Sequence, residues 1–133
     1  MVEIACWTVK GEQKRVDVDV FIVFEVGREL SLPEYVREHE EKKFVRALRR
    51  LSARDFPTVA RDFYRILKGI PVEKKVAIIP SGGIVIHVMW AAFLGLHRDL
   101  VVGQWNGSDY DWFLLDQELK DFFLEEDLTS SEA

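Results

Sequence analysis

Ser81, Gly82 and Gly83 are the residues of this chain best suited to hold a ligand. They follow an apolar run, Val76 to Ile79, that stops at Pro80. They precede a second run, Ile84 to Leu96, interrupted by His87. The pattern reads as a buried strand, a tight glycine turn and a buried helix. Backbone N–H groups left unpaired at a helix start favour an anion such as phosphate. The glycines would let a phosphate or ribose approach the backbone, and Ser81 adds a hydroxyl. In open α/β sheets ligands bind outside the carboxyl ends of the parallel strands, which is where this turn falls. A turn that needs glycine only for its φ angles would carry the same residues. No GK[ST] pattern follows, so this is not a P-loop, and no G-x-G-x-x-G dinucleotide fingerprint is present.

Other side chains can be gathered around that turn. Arg28 follows the second strand and would reach the same sheet edge if the two strands run parallel, where it could neutralise a phosphate bidentately. Trp105 ends a strand beside Asn106, and its ring could stack on a base. Ser81, Gly82, Gly83, Trp105, Asn106 and Arg28 thus form the candidate ligand-binding set. His87, near the start of the apolar helix, and Arg28 are the candidates for acid–base or charge-stabilising roles, although a histidine on such a helix is more often a hydrogen-bonded core residue. His39 and His97 sit on polar stretches. With the lone Cys6 the histidines share no metal-ligand spacing. Asp109, Asp111 and Asp116 read as solvated positions flanking aromatic residues, as do Asp17 and Asp19 along an edge strand. No metal or cofactor is expected.

The elements that must position these residues fit one domain. The chain has 133 residues, 48% of them hydrophobic and 12% aromatic, enough for a core. A net charge of −5 argues against a dedicated nucleic-acid binder but leaves a small anionic ligand open. The first residues carry no basic segment leading into an apolar run, so no signal peptide is expected, and no stretch is long enough to span a bilayer. Strands are expected over residues 2–9, 16–26, 75–79, 100–105 and 110–115. Helices are expected over 33–51, with Ser31 and Pro33 marking the start, over 54–68, over 84–96, and in a short segment 118–124. Asn106-Gly107 marks a hairpin turn. The domain covers 1–124, followed by an acidic tail, 125–133, expected to fray. The order implies right-handed crossovers and an α/β fold, a Rossmann-like three-layer sandwich with a mixed sheet of about five strands. Helix 84–96, apolar on nearly every side and carrying Trp90 and Phe93, is expected to be buried on more than one face and to supply a homodimer contact.

KKVAIIPSGGIVIHVMWAAFLG (74–95) followed by DLVVGQWNGSDYDWFLL (99–115) resembles the second half of the Rossmann-like sensor domains of prokaryotic defence, the CARF domains of CRISPR systems and the related SAVED domains. Ser81, Gly82 and Gly83 match the small residues of the T-G-G-T-K-like turn of CARF domains, whereas Ile84 and Val85 replace its threonine and lysine. Pro80, Leu94-Gly95 and the aromatic hairpin from Trp105 to Tyr110 fit the SAVED outline. The resemblance implies a dimeric binder of a cyclic oligonucleotide or similar nucleotide second messenger, acting alone or with an effector protein; the single Cys6 is compatible with a reducing, cytoplasmic location. The resemblance also leaves room for a metal-independent ring nuclease. A protein-interaction subunit without a small ligand is the third reading of the residues.

Overall fold

A computed structural model describes residues 2–26, 32–38, 43–47, 56–80 and 83–132. The elements are β1 (Val2–Trp7), β2 (Gln13–Val18), β3 (Val20–Val26), α1 (Glu34–Arg37), β4 (Lys43–Ala47), α2 (Phe56–Lys68), β5 (Val76–Ile79), α3 (Gly83–Gly95), β6 (Leu100–Trp105), β7 (Tyr110–Leu115) and α4 (Gln117–Glu132). The seven strands form one mixed sheet in the order β2-β1-β7-β6-β5-β3-β4.

Four of these strands make a parallel core. β3 pairs with β4 on one side and β5 on the other, and β5 pairs with β6. Strands buried on both faces read as continuous apolar runs, as β5 does with all four residues buried. The chain steps outward from β3 to β4, then back across β3 to β5 and on to β6, so the winding direction reverses between β3 and β5. Right-handed crossovers on either side of a reversal must lie on opposite faces. Accordingly Val36 of α1 packs with Phe21 and Val23 on one face. Val59, Phe63 and Leu67 of α2 and Val85, Val88, Met89 and Phe93 of α3 pack with Ile22 and Phe24 on the other.

The α/β class and the mixed sheet agree with the sequence pattern, and three details differ. The segment 33–51 forms only the single turn α1 and then a strand, because β3 would otherwise leave its outer backbone edge unpaired, and β4 fills it. The strand 16–26 is split at Asp19. Its first half pairs with β1 at one sheet edge and its second half sits beside β4 at the other, so the sheet curls back on itself. Ile4, Cys6 and Val18 of the hairpin therefore share a cluster with Phe21, Ala77, Val101 and Trp112. That face is covered by the hairpin and α1, a departure from helices layered on both sides, and the sheet has seven strands where about five were expected. Finally, α4 runs from Gln117 to Glu132, longer than the expected helix 118–124.

Asp19 is not a solvated edge position. Its Oδ2 accepts the Lys75 N–H at 2.9 Å, while its own N–H and that of Val20 donate to the Lys75 carbonyl at 2.9 and 3.1 Å. At the same end of the sheet Arg98, 7% exposed, donates to the carbonyls of Leu67, Ile70, Pro71 and Lys74 at 2.7–3.2 Å. One fixed guanidinium fork thus gathers the carbonyls at the end of α2 and in the loop leading to β5.

Candidate functional site

The carboxyl edge of the parallel core has a notch at the reversal. Ile79, the last residue of β5, pairs with Val23, and β3 runs on to Val26. Through the register that pairs Ile78 with Val102, Ile79 lies level with Gly103, and β6 runs on to Trp105. At ~3.3 Å per residue the flanking strands stand about 10 Å and about 7 Å above the end of β5. Between these two longer strands the chain leaves β5 through half-buried Pro80 and enters α3 at Gly83. α3 is thirteen residues long, and the first N–H groups of such a helix have no partner within the helix. Ser81, Gly82 and Arg28 lie outside the described residues, and so does Ser31, expected as a helix cap.

The β6 flank carries an aromatic row. Trp105, 45% exposed, meets Tyr110 edge-on with centroids 5.2 Å apart. Tyr110 leans on Trp112 at 5.8 Å, and Trp112 Nε1 donates to the Tyr35 hydroxyl at 3.1 Å. Burial raises the pKa of both phenols; Asp109 adds to the effect at Tyr35, against the hydrogen bond from Trp112, and Tyr35 adds to it at Tyr110. Both are therefore neutral hydrogen-bonding groups at neutral pH. Trp112 lies against Gly103, where an added Cβ would meet its ring at 2.7 Å. Trp105, at the end of β6, keeps an exposed ring surface that can stack on a planar ring.

Asn106 has a different employment. Its Oδ1 accepts from the backbone N–H groups of Ser108 and Asp109 at 3.0 and 2.9 Å and from the Ser108 hydroxyl at 3.2 Å. Its Nδ2 donates to Asp111 at 3.3 Å. The side chain closes the hairpin turn, an Asx arrangement in which Gly107 takes φ 106°. Asp116 accepts the Leu119 N–H at 3.2 Å and caps α4. The carboxylates of Asp109, Asp111 and Asp116 are thus engaged locally, and no group of three acidic, histidine or cysteine side chains is placed for a metal ion among the described residues.

His87 is exposed in the second turn of α3, outside the core. His97 is exposed with φ 50°, and His39 lies outside the described residues. Cys6 is fully buried, and burial pushes its thiol up to about 11, which makes it a poor nucleophile. Phe93 is also fully buried, and half-buried Trp90 packs on Phe93 and on Phe123 of α4 at 5.8 and 6.4 Å.

A cleft of about 270 Å³ opens at the opposite edge among Lys14, Arg15, Lys75, Asp17, Asp99 and Asp116. Its charges balance and Arg15 is paired with Glu3, so it offers no net attraction for an anion. Tyr35 is the site residue that sequence reading passed over. It sits in a one-turn helix, and no local pattern marks it as the partner of a tryptophan on β7.

Comparison of the chain with protein-family models, with curated proteins and with solved structures finds no significant match. No helix among the described residues is long and apolar enough to cross a membrane.

Proposed function

We propose that this chain binds a cyclic oligonucleotide, or a related nucleotide second messenger, in the notch at the carboxyl edge. On this reading it serves as a regulatory module of antiviral defence built on a Rossmann-like core, acting in the cytoplasm. The supporting observation is the recessed end of β5 at the point where the strand order reverses, because such reversals leave a crevice between loops that diverge to opposite faces. In this reading the amides of Ser81, Gly82 and Gly83 and the guanidinium of Arg28 receive phosphate, and a base stacks on Trp105. Asn106 acts indirectly, by holding the hairpin that presents Trp105.

A thermal-shift panel of cyclic oligonucleotides tests the proposal. A ligand at a hundred times its Kd adds about 2.7 kcal/mol, so the midpoint should rise by roughly 5–10 °C. Gly82→Glu should abolish the shift by placing a carboxylate where the phosphate belongs. A folded wild-type protein that responds to no member of the panel would overturn the reading.

A further inference from the structure

The helical side of the sheet ends in an apolar surface with a directional charge pattern. Twelve large hydrophobic side chains are exposed among the described residues, and seven of them belong to α2, α3 and α4. α3 touches both neighbours, α4 through Trp90 and Phe123, and α2 across a groove of about 390 Å³. Phe56, Phe63 and Tyr64 form one wall of the groove, and Val88, Ala91 and Leu96 form the other. An added Cβ on Gly95 would meet nothing within 4 Å, so the groove is open there. Apolar surfaces of this extent mark interaction sites.

Charge changes sign across the three helices. α2 exposes Arg61, Arg65 and Lys68, with Asp62 half-buried between them. The outward face of α3 carries Ile86, His87, Ala91 and Leu94 and no carboxylate, lysine or arginine. α4 exposes Asp121 and Glu125 beside Phe122 and Leu124, while its only cation, Lys120, lies over the Phe93 ring at 4.6 Å.

We propose that a second copy of this chain covers this face, related by a two-fold axis running along α3. Rotation about that axis exchanges left and right, so the acidic α4 of each protomer lies over the basic α2 of its partner and the two α3 helices meet at the axis. A two-fold axis across α3 would instead set basic α2 on basic α2. The charge pattern therefore selects the first geometry. The face measures roughly 20 Å along the helices and 30 Å across them, near the ~800 Å² per partner of a standard interface once side-chain relief is included. The arrangement brings both Gly83 helix starts to one end of the dimer. The dimer requires no ligand, so it stands or falls separately from the function proposed above.

Sedimentation velocity and light scattering on the full chain test the proposal. The wild type should run at twice 15.5 kDa, and Leu94→Glu should be monomeric with an unchanged far-ultraviolet circular dichroism spectrum. Replacing Arg61 and Arg65 by Glu should weaken the dimer at least about tenfold, and so should replacing Asp121 and Glu125 by Lys. Combining the two pairs should restore affinity, a gain that a misfolded variant cannot deliver. A wild type that is monomeric at about 100 µM, a dimer indifferent to Leu94→Glu, or a charge-swapped variant no tighter than its parents would overturn the proposal.

Discussion

Gly103 and Trp112 share a cross-strand position on β6 and β7, and the absence of a side chain on one makes room for the ring of the other. A methyl group at Gly103 would have to displace an indole that is 4% exposed and hydrogen-bonded to Tyr35. Gly103→Ala is therefore expected to lower stability by about 1–3 kcal/mol, the usual range for overpacking, despite alanine's better strand propensity. The urea midpoint would fall and the tryptophan emission would change, because the ring must move. A midpoint equal to wild type would mean that the strands separate at little cost. The glycine is visible in the sequence as an interruption of an apolar strand, which signals a close approach. Its partner is not, because the register between β6 and β7 is set by the turn that Asn106 closes.

At the scale of elements, the bend at Asp19 decides how the sheet curls. One carboxylate and two N–H groups tie that bend to Lys75, at the entry to β5. Asp19→Ala removes the acceptor for the Lys75 N–H and should cost about 1–2 kcal/mol, whereas Asp19→Asn retains an acceptor oxygen and should cost less. Chemical denaturation of the two variants checks the order. In the sequence Asp17 and Asp19 alternate with valines and look alike. They part because one continues the hairpin and the other marks the crossing to a distant strand. The segment 33–51 misleads for a related reason. Val36, Phe44, Val45, Leu48 and Leu51 fit a helical stripe as well as two shorter elements, and the open edge of β3 selects a strand for residues 43–47.

At the scale of the molecule, three ionisable groups share the concave side of the curled sheet: Cys6 is buried within the cluster there, and Tyr35 and Tyr110 pack against it. All three have raised pKa values, Cys6 from 9.0 to about 11, with burial the first cause in each. In the unfolded chain the thiol ionises near 9, while in the folded protein it stays protonated, so the folded state holds more protons in that window. The contribution of these three groups to stability should therefore be constant below pH 9 and fall as pH rises from 9 towards 11, with the tyrosines adding to the loss above 10. Cys6→Ala should flatten the first part of that decline in urea titrations at stepped pH. A decline unchanged in Cys6→Ala would assign the alkaline sensitivity elsewhere. The apolar helical face belongs to the same scale. The sequence marks α3 as apolar on all sides, but only the packing of α2 and α4 beside it shows which part of that surplus remains outside.

What the sequence determined by itself was local: α2 and α3 from apolar spacing and a glycine turn, β5 to β7 from short apolar runs, and the hairpin from Asn106-Gly107. These depend on neighbours a few residues apart, where side-chain period and turn chemistry are decisive. What only the tertiary structure decided was pairing across the chain: β4 against β3, the bent strand joining two sheet edges, Tyr35 under Trp112, and Arg98 on four distant carbonyls. Those contacts satisfy backbone and side-chain polar groups that would otherwise be buried without partners. That requirement acts through space, and no spacing along the chain records it.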